Sequence, residues 1–84
     1  MYIIINITRE GALKLGNLLR KKRFEHHEIS QQDLANAVGV SRITIHSIET
    51  GKFNPSALLA LKIARYLNSN VEDIFYLVDE EEIR

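Results

Sequence analysis

The 84-residue sequence contains no cysteine, which excludes a disulfide framework, a thiolate zinc site and a cysteine nucleophile. Its strongest apolar run near the start, residues 2–7, is far shorter than the roughly 20 residues that span a bilayer, and no basic region precedes it as in a signal peptide. A glycine-rich phosphate loop, paired catalytic carboxylates and a metal-ligand cluster are also missing. We therefore predict a cytoplasmic protein that is not an enzyme, has no cofactor and contacts no membrane.

Net charge is also absent, with 11 basic and 11 acidic side chains, which at first argues against a nucleic-acid partner. The charges are unevenly distributed, however. Residues 9–65 contain ten Lys and Arg against five Asp and Glu, a net charge of +5, whereas residues 66–84 carry a net charge of −5. A basic body with an acidic end is compatible with one phosphate-facing surface and with salt-dependent binding.

The length favours one compact domain over residues 1–84. So small a domain buries only about 60% of its unfolded surface, which makes self-association plausible. We predict a mainly α domain with five helices and a small two-stranded antiparallel β element. It divides into an N-terminal strand (residues 1–8), a helical body (9–75) and a C-terminal strand with an acidic tail (76–84).

The isoleucine-rich residues 1–8 have a strand pattern, and their best partner is the aromatic and β-branched run at residues 75–78. One strand alone is not stable, so pairing is expected. A first helix is predicted to begin within residues 9–12 and to end near residue 23 or 24, because Leu15, Leu18 and Leu19 have the spacing of one buried stripe.

Residues 31–49 have the pattern of two helices joined by a tight turn. Gly39 stands where the chain reverses, since glycine adopts a positive φ without steric cost, and Ser41 can cap the second helix. Ser30 with Asp33 resembles a capping box for the first helix, and Ser56 can cap a further helix over residues 57–67. Apolar or small residues occupy the positions where the first two of these helices must meet: Leu34, Ala35, Val38, Val40, Ile45 and Ile48. The further helix has a broad apolar face: Leu58, Leu61, Ile63, Ala64 and Leu67.

Two polar clusters allow more than one interpretation. Lys21, Lys22 and Arg23 fit either a solvated helix end, complementing the helix dipole, or a phosphate contact. His26 and His27 could suggest a metal, but adjacent histidines do not share a helix face and no third ligand lies at a useful spacing. We therefore predict no metal site.

Three motifs together resemble the Cro/phage-repressor-like (XRE) helix-turn-helix family. They are S-Q-x-x-L-A-x-x-x-G-V-S, I-x-x-I-E-x-G-K-x-N-P-S and L-x-x-A-x-x-L, and the likeness extends over residues 15–75. It implies a lambda-repressor-like domain that binds double-stranded DNA. The sequence departs from the family pattern in two places. The loop at residues 24–28 is longer than usual and could reach DNA, a partner or nothing. The N-terminal isoleucine strand is absent from the plainest members and resembles the terminal strands of the small cytolysin-repressor-type dimers.

The resemblance also assigns roles to individual side chains. Arg42 could pair with a guanine edge; the alternatives are a phosphate contact or a surface position without a DNA contact. Ile43, which the pattern leaves exposed, could contact a thymine methyl group; the alternative is an error in the predicted helical register. The implied base-reading residues are Arg42, Ile43, His46 and Ser47, the phosphate-binding residues are Gln31, Ser41, Thr44, Lys52 and Asn54, and the structural salt bridge is Arg20 with Glu49.

The function that follows is sequence-specific transcriptional regulation, most simply repression. A homodimer built from the last helices and terminal strands would place two reading helices about one DNA turn apart, on an inverted-repeat operator. The alternative is an antitoxin or another protein-interaction module on the same fold, which the isoleucine strand and the acidic tail motivate.

Overall fold

The computed structural model describes residues 13–79, a helical body flanked by two short strands. In chain order the elements are β1 (Leu13–Asn17), α1 (Leu19–Glu25), α2 (Gln31–Val38), α3 (Arg42–Glu49), α4 (Ala57–Tyr66), α5 (Val71–Ile74) and β2 (Phe75–Asp79). The five predicted helices and the two-stranded antiparallel sheet are confirmed. Within this part of the chain, no helix is both long and apolar enough to cross a membrane.

Local signals start and stop the central helices as predicted. Ser30 and Asp33 form a capping box, in which Asp33 N donates to Ser30 Oγ at 2.9 Å and Ser30 N donates to Asp33 Oδ2 at 3.2 Å. Gly39 ends α2 with φ +80°, and Ser41 Oγ then accepts from Thr44 N at 3.2 Å. The α2–turn–α3 unit is therefore fixed by side chains within its own sequence.

One apolar core holds α3 in place against the other helices. Leu19, Leu34 and Ile45 have no exposed surface at all, and Ile48 has 1%. Since each such side chain contributes about 1.5–3 kcal/mol by burial, the orientation of α3 is set by packing. The core consists of Leu19, Leu34, Ala35, Val38, Ile45, Ile48, Ile63, Ala64, Leu67, Ile74 and Phe75.

The sheet differs from the prediction in its first strand. Antiparallel pairing joins β2 to β1, with Leu15 opposite Leu77 and Gly16 opposite Tyr76. The predicted strand over residues 1–8 lies outside the described residues. Residues 13–17, L-K-L-G-N, alternate apolar and polar or small side chains, which is the period of a strand.

The predicted start of the first helix is therefore wrong, because α1 begins at Leu19. The three-and-four spacing of Leu15, Leu18 and Leu19 fits a helix, but Gly16 disfavours one. Leu18 N instead donates a hydrogen bond to Ile74 O at 2.8 Å, and Asn17 Oδ1 accepts from Leu19 N at 3.0 Å. These bonds turn the chain from strand into helix at Asn17.

Gly16 gives the sheet a contact that no larger residue permits. A Cβ at this position would lie 2.5 Å from Tyr76 Cε1 and 2.8 Å from Val78 Cγ2. The Tyr76 ring therefore lies directly over the glycine on the opposite strand, and the pair uses the close approach that glycine allows.

Candidate nucleic-acid interface

Helix α3 is divided lengthwise into a buried face and an exposed face. At 100° per residue, Arg42, Ile43, His46 and Ser47 lie within an arc of about 140°, which we call the reading arc. Ile45 and Ile48 lie on the opposite side and are buried, whereas Ile43 is 68% exposed. The exposure predicted for Ile43 is confirmed, so its position is no error of helical register. An isoleucine held in solvent fits an apolar contact with a partner surface.

The N-terminal end of α3 brings two of the proposed phosphate-binding residues together. Besides capping the helix, Ser41 Oγ lies 3.0 Å from Thr44 Oγ1 and shares a hydrogen bond with it. Gln31, the first residue of α2, lies along another side of α3, where its Oε1 accepts from Arg42 Nη1 at 3.1 Å. A helix N-terminus carries partial positive charge and free N–H groups, which favour a phosphate.

The other two proposed phosphate-binding residues follow the C-terminal end of α3. Gly51, at φ +80°, reverses the chain, after which Lys52 N and Phe53 N both donate to Ser47 O, at 2.9 and 3.2 Å. These bonds hold the exposed Lys52 and Asn54 in a loop beside the end of α3. The reading arc is thus flanked at both ends by polar side chains.

Glu49 forms its salt bridge with Arg23, so the predicted pairing with Arg20 is wrong. Arg23 Nε is 2.6 Å from Glu49 Oε2, the side chains are only 9% and 7% exposed, and Arg23 Nη2 donates to Glu49 Oε1 at 3.2 Å. A third bond runs from Arg23 Nη1 to Ile29 O at 2.8 Å. Because α1 begins at Leu19, Arg23 lies one turn after that buried leucine and faces the interior.

Arg20 is exposed, and its guanidinium lies over the ring of Phe24, with Cζ 5.7 Å from the ring centroid. Arg23 thus replaces Arg20 in the structural role that the resemblance implies, joining α1 to α3 and closing the loop that begins at residue 26. The signal for Arg23 was its spacing of four from Leu19, a residue of the predicted buried stripe.

Gln31 extends this ion pair to the surface of α3. Its Nε2 donates to Glu49 Oε1 at 3.0 Å and lies 3.4 Å from His46 Nδ1, while its Oε1 accepts from Arg42. A continuous network therefore runs from the buried Arg23 to two residues of the reading arc. Gln31 thus braces α3 against α2 and the buried ion pair, and its phosphate contact stays a prediction.

Asn17 is a second residue that the sequence did not single out. Its Nδ2 donates to Ile48 O at 2.9 Å, while its Oδ1 accepts from Leu19 N. One side chain thereby connects β1, α1 and the last turn of α3. An Asn just before a helix was the available signal, since this residue type often caps helices.

The longer loop after α1 is directed towards α4. His27 and Glu28 have φ of +59° and +52°, and the His26 ring lies 5.5 Å from the Tyr66 ring and 5.0 Å from that of His27. Within residues 13–79 no three His, Asp or Glu side chains are placed to hold a metal ion. The loop therefore contributes to packing against α4.

Comparison with known proteins gives a family match for residues 19–74, described as helix-turn-helix. An uncharacterized HTH-type transcriptional regulator of Methanocaldococcus jannaschii is 51% identical over 55 residues, covering 66% of this chain and 83% of the relative. Control protein C.MunI of a Mycoplasma species is 32% identical over 69 residues, covering 82% and 93%. The ImmF control region 10 kDa protein of Bacillus phage phi105 is 40% identical, covering 66% and 60%.

The matched region contains the capped α2–turn–α3 unit, the core that orients it and the exposed arc of α3. The family match covers well over half of the chain, and a relative about half identical is itself covered for most of its length. The chain belongs to the Cro/phage-repressor-like (XRE) family of helix-turn-helix transcriptional regulators.

Proposed function

We propose that this protein is a transcriptional repressor that binds an inverted-repeat operator as a homodimer, with α3 in the major groove. The observation that carries the proposal is the two-faced character of α3, whose buried isoleucines fix it while its reading arc stays open. An α-helix fits the major groove, where every base pair has a distinct edge. A regulatory role is supported by the names of two relatives, one a control protein and the other a protein of a control region.

Within this proposal the residues of α3 divide into two groups. Arg42, Ile43, His46 and Ser47 contact base edges, with Arg42 pairing a guanine and Ile43 a thymine methyl group. The side chains at the ends of the helix, which fix its position on the backbone, contact phosphates: Gln31, Ser41, Thr44, Lys52 and Asn54.

The homodimer is supported by apolar surface away from α3. Leu58 and Leu61 lie one turn apart on α4 and are 64% and 57% exposed, and Leu77 on β2 is 70% exposed. Neighbours three apart share a helix face, so the two leucines of α4 form one apolar stripe. A second copy covering such a stripe buries it on both partners and relates the two α3 helices by two-fold symmetry.

Selection of bound duplexes from a random pool tests the proposal. We expect an enriched inverted repeat whose half-site centres lie about 10 base pairs apart. The Arg42→Ala variant should lose discrimination at one position of each half-site, by roughly five- to 150-fold. If Arg42→Ala weakens specific and random duplexes equally, Arg42 contacts the backbone and not a base.

Failure of any duplex to be enriched would contradict DNA recognition itself. A stoichiometric second protein that co-purifies with the chain would favour the alternative, an antitoxin or interaction module.

A further inference from the structure

The amide of Gln31 can adopt only one orientation. Its Oε1 faces Arg42 Nη1 at 3.1 Å and its Nε2 faces Glu49 Oε1 at 3.0 Å. A guanidinium offers only donors and an ionised carboxylate only acceptors. Turning the amide over would set oxygen against carboxylate and NH2 against guanidinium, so both hydrogen bonds would be lost at once.

The orientation of Gln31 determines where the neutral His46 ring carries its proton. An amide NH2 group has two hydrogens. Gln31 Nε2 donates one of them to Glu49, and the same nitrogen lies 3.4 Å from His46 Nδ1, within reach of the second. In the neutral ring Nδ1 is therefore the unprotonated nitrogen, which accepts this hydrogen bond. Glu49 accepts hydrogen bonds from Arg23 and Gln31, and within residues 13–79 it forms none with His46 Nδ1. In the neutral ring the proton then sits on Nε2.

The Nε2–H group is left as a donor with no hydrogen bond among residues 13–79. His46 is exposed, and it lies about 40° around the helix from Arg42, inside the reading arc. Other charged groups around the ring are Arg20 and Arg23 from α1, which with Glu49 and Thr50 line the same shallow pocket. None of these groups offers Nε2 a bond.

We propose that His46 is a specificity-determining residue whose Nε2–H, fixed as a donor by Gln31, hydrogen-bonds an acceptor atom of the DNA. This inference rests on the proposed function. In the major groove the acceptors are purine N7, guanine O6 and thymine O4, whereas cytosine presents only its N4 amino donor. Wherever His46 meets a base, cytosine is therefore disfavoured. A phosphate oxygen offers the same acceptor chemistry without sequence information.

The proton position is tested on the free protein, without DNA. Long-range ¹H–¹⁵N correlation of the histidine side chains, recorded with the imidazoles neutral, should show one ring protonated at Nε2 that disappears in His46→Ala. The sequence has three histidines, so the assignment is direct. Protonation of His46 at Nδ1 would overturn the inference whether or not the protein binds DNA.

The donor role is tested by selecting duplexes with wild-type protein and with His46→Ala. If the acceptor is on a base, discrimination against cytosine falls about three- to tenfold at one position per half-site, as for loss of one hydrogen bond. A loss of affinity by a similar factor for all sequences would place the acceptor on a phosphate and overturn the specificity role of His46. His27→Ala, on the loop directed towards α4, is the control and should change neither quantity.

The outcomes separate the two proposals. Wild-type protein that binds its selected duplex, together with a His46→Ala variant of unchanged affinity and unchanged base preference, overturns the role of His46 alone. Wild-type protein that enriches no duplex overturns the proposed function, and the donation to DNA with it. Because His46 is exposed, circular dichroism of His46→Ala should match that of the wild type.

Discussion

Arg23 carries its charge where water hardly reaches it. Removing a charge from water costs several kcal/mol, and only a well-formed partner offsets that cost. Glu49 and the carbonyl of Ile29 together satisfy the guanidinium with three hydrogen bonds. The pair is thus structural, and it determines how α1 lies against α3.

Replacing Arg23 with alanine should destabilise the fold strongly. The Glu49 carboxylate, 7% exposed, would lose the partner that compensates its burial. We expect the free energy of unfolding to fall by about 3–5 kcal/mol, measured by urea denaturation.

Arg20→Ala is the matched control, because Arg20 is an exposed arginine on the same helix. It should cost under about 1 kcal/mol, since only its contact with Phe24 is lost. Equal losses for the two variants would contradict the assignment of the ion pair to Arg23.

The choice between these two arginines shows what the sequence could and could not predict about the site. The exposed residues of α3 and the acid of the ion pair follow from local pattern and family likeness. Arg23 lies four residues after the buried Leu19 and is nearer that face of α1 than Arg20, so spacing alone favours it over the pairing that the family likeness implies. The start of α1 at Leu19 was not predictable from local pattern, because it follows β1 and the pairing of β1 with β2, about 60 residues later.

At the scale of elements, the sheet depends on the glycine in its first strand. Gly16→Ala would place a Cβ within 2.5 Å of the Tyr76 ring, so the ring or the strand must move. We expect a loss of about 1–3 kcal/mol in the free energy of unfolding, which is typical of overpacking. Thermal or urea denaturation measures it.

The same substitution in a Tyr76→Ala background supplies the control. Removing the ring eliminates the closest approach and leaves the 2.8 Å approach to Val78 Cγ2, so Gly16→Ala should cost less. An equal cost in both backgrounds would mean that the ring does not lie over the glycine in solution.

Elements whose signals are local were predictable, and those that depend on distant pairing were not. The capping box at Ser30, the turn at Gly39 and the cap at Ser41 each act within a few residues, so the sequence specifies them directly. The strand β1 forms because β2 is available to it. Its leucine spacing alone fits a helix equally well, which is why its residues were assigned to the first helix.

At the scale of the whole molecule, the exposed leucines of α4 predict the association state. Leu61→Glu should convert the proposed homodimer to monomer, because a carboxylate buried in an apolar interface has no partner. Sedimentation velocity at tens of micromolar measures the change, and retained helical circular dichroism shows that the fold persists.

Ile43→Glu is the matched control for Leu61→Glu, because it makes the same kind of change on the exposed face of α3 that is proposed to contact DNA. It should leave the dimer intact and weaken DNA binding through repulsion of phosphates. Wild-type protein that sediments only as monomer would contradict the homodimer, and loss of the dimer in Ile43→Glu would place the interface on α3.

The reading arc also limits how much sequence information one copy can obtain. Arg42 to Ser47 extends about 7.5 Å along the helix axis, which matches the two steps of roughly 3.4 Å that separate three stacked base pairs. A given three-base-pair sequence occurs by chance roughly every 64 base pairs, and a genome offers 10⁶ or more competing sites. Two such sequences at a fixed separation occur by chance only about once in 4,000 base pairs, before any contribution from DNA shape. In the proposed homodimer, the operator sequence would therefore be specified as much by the distance between the two α3 helices as by the side chains of either one.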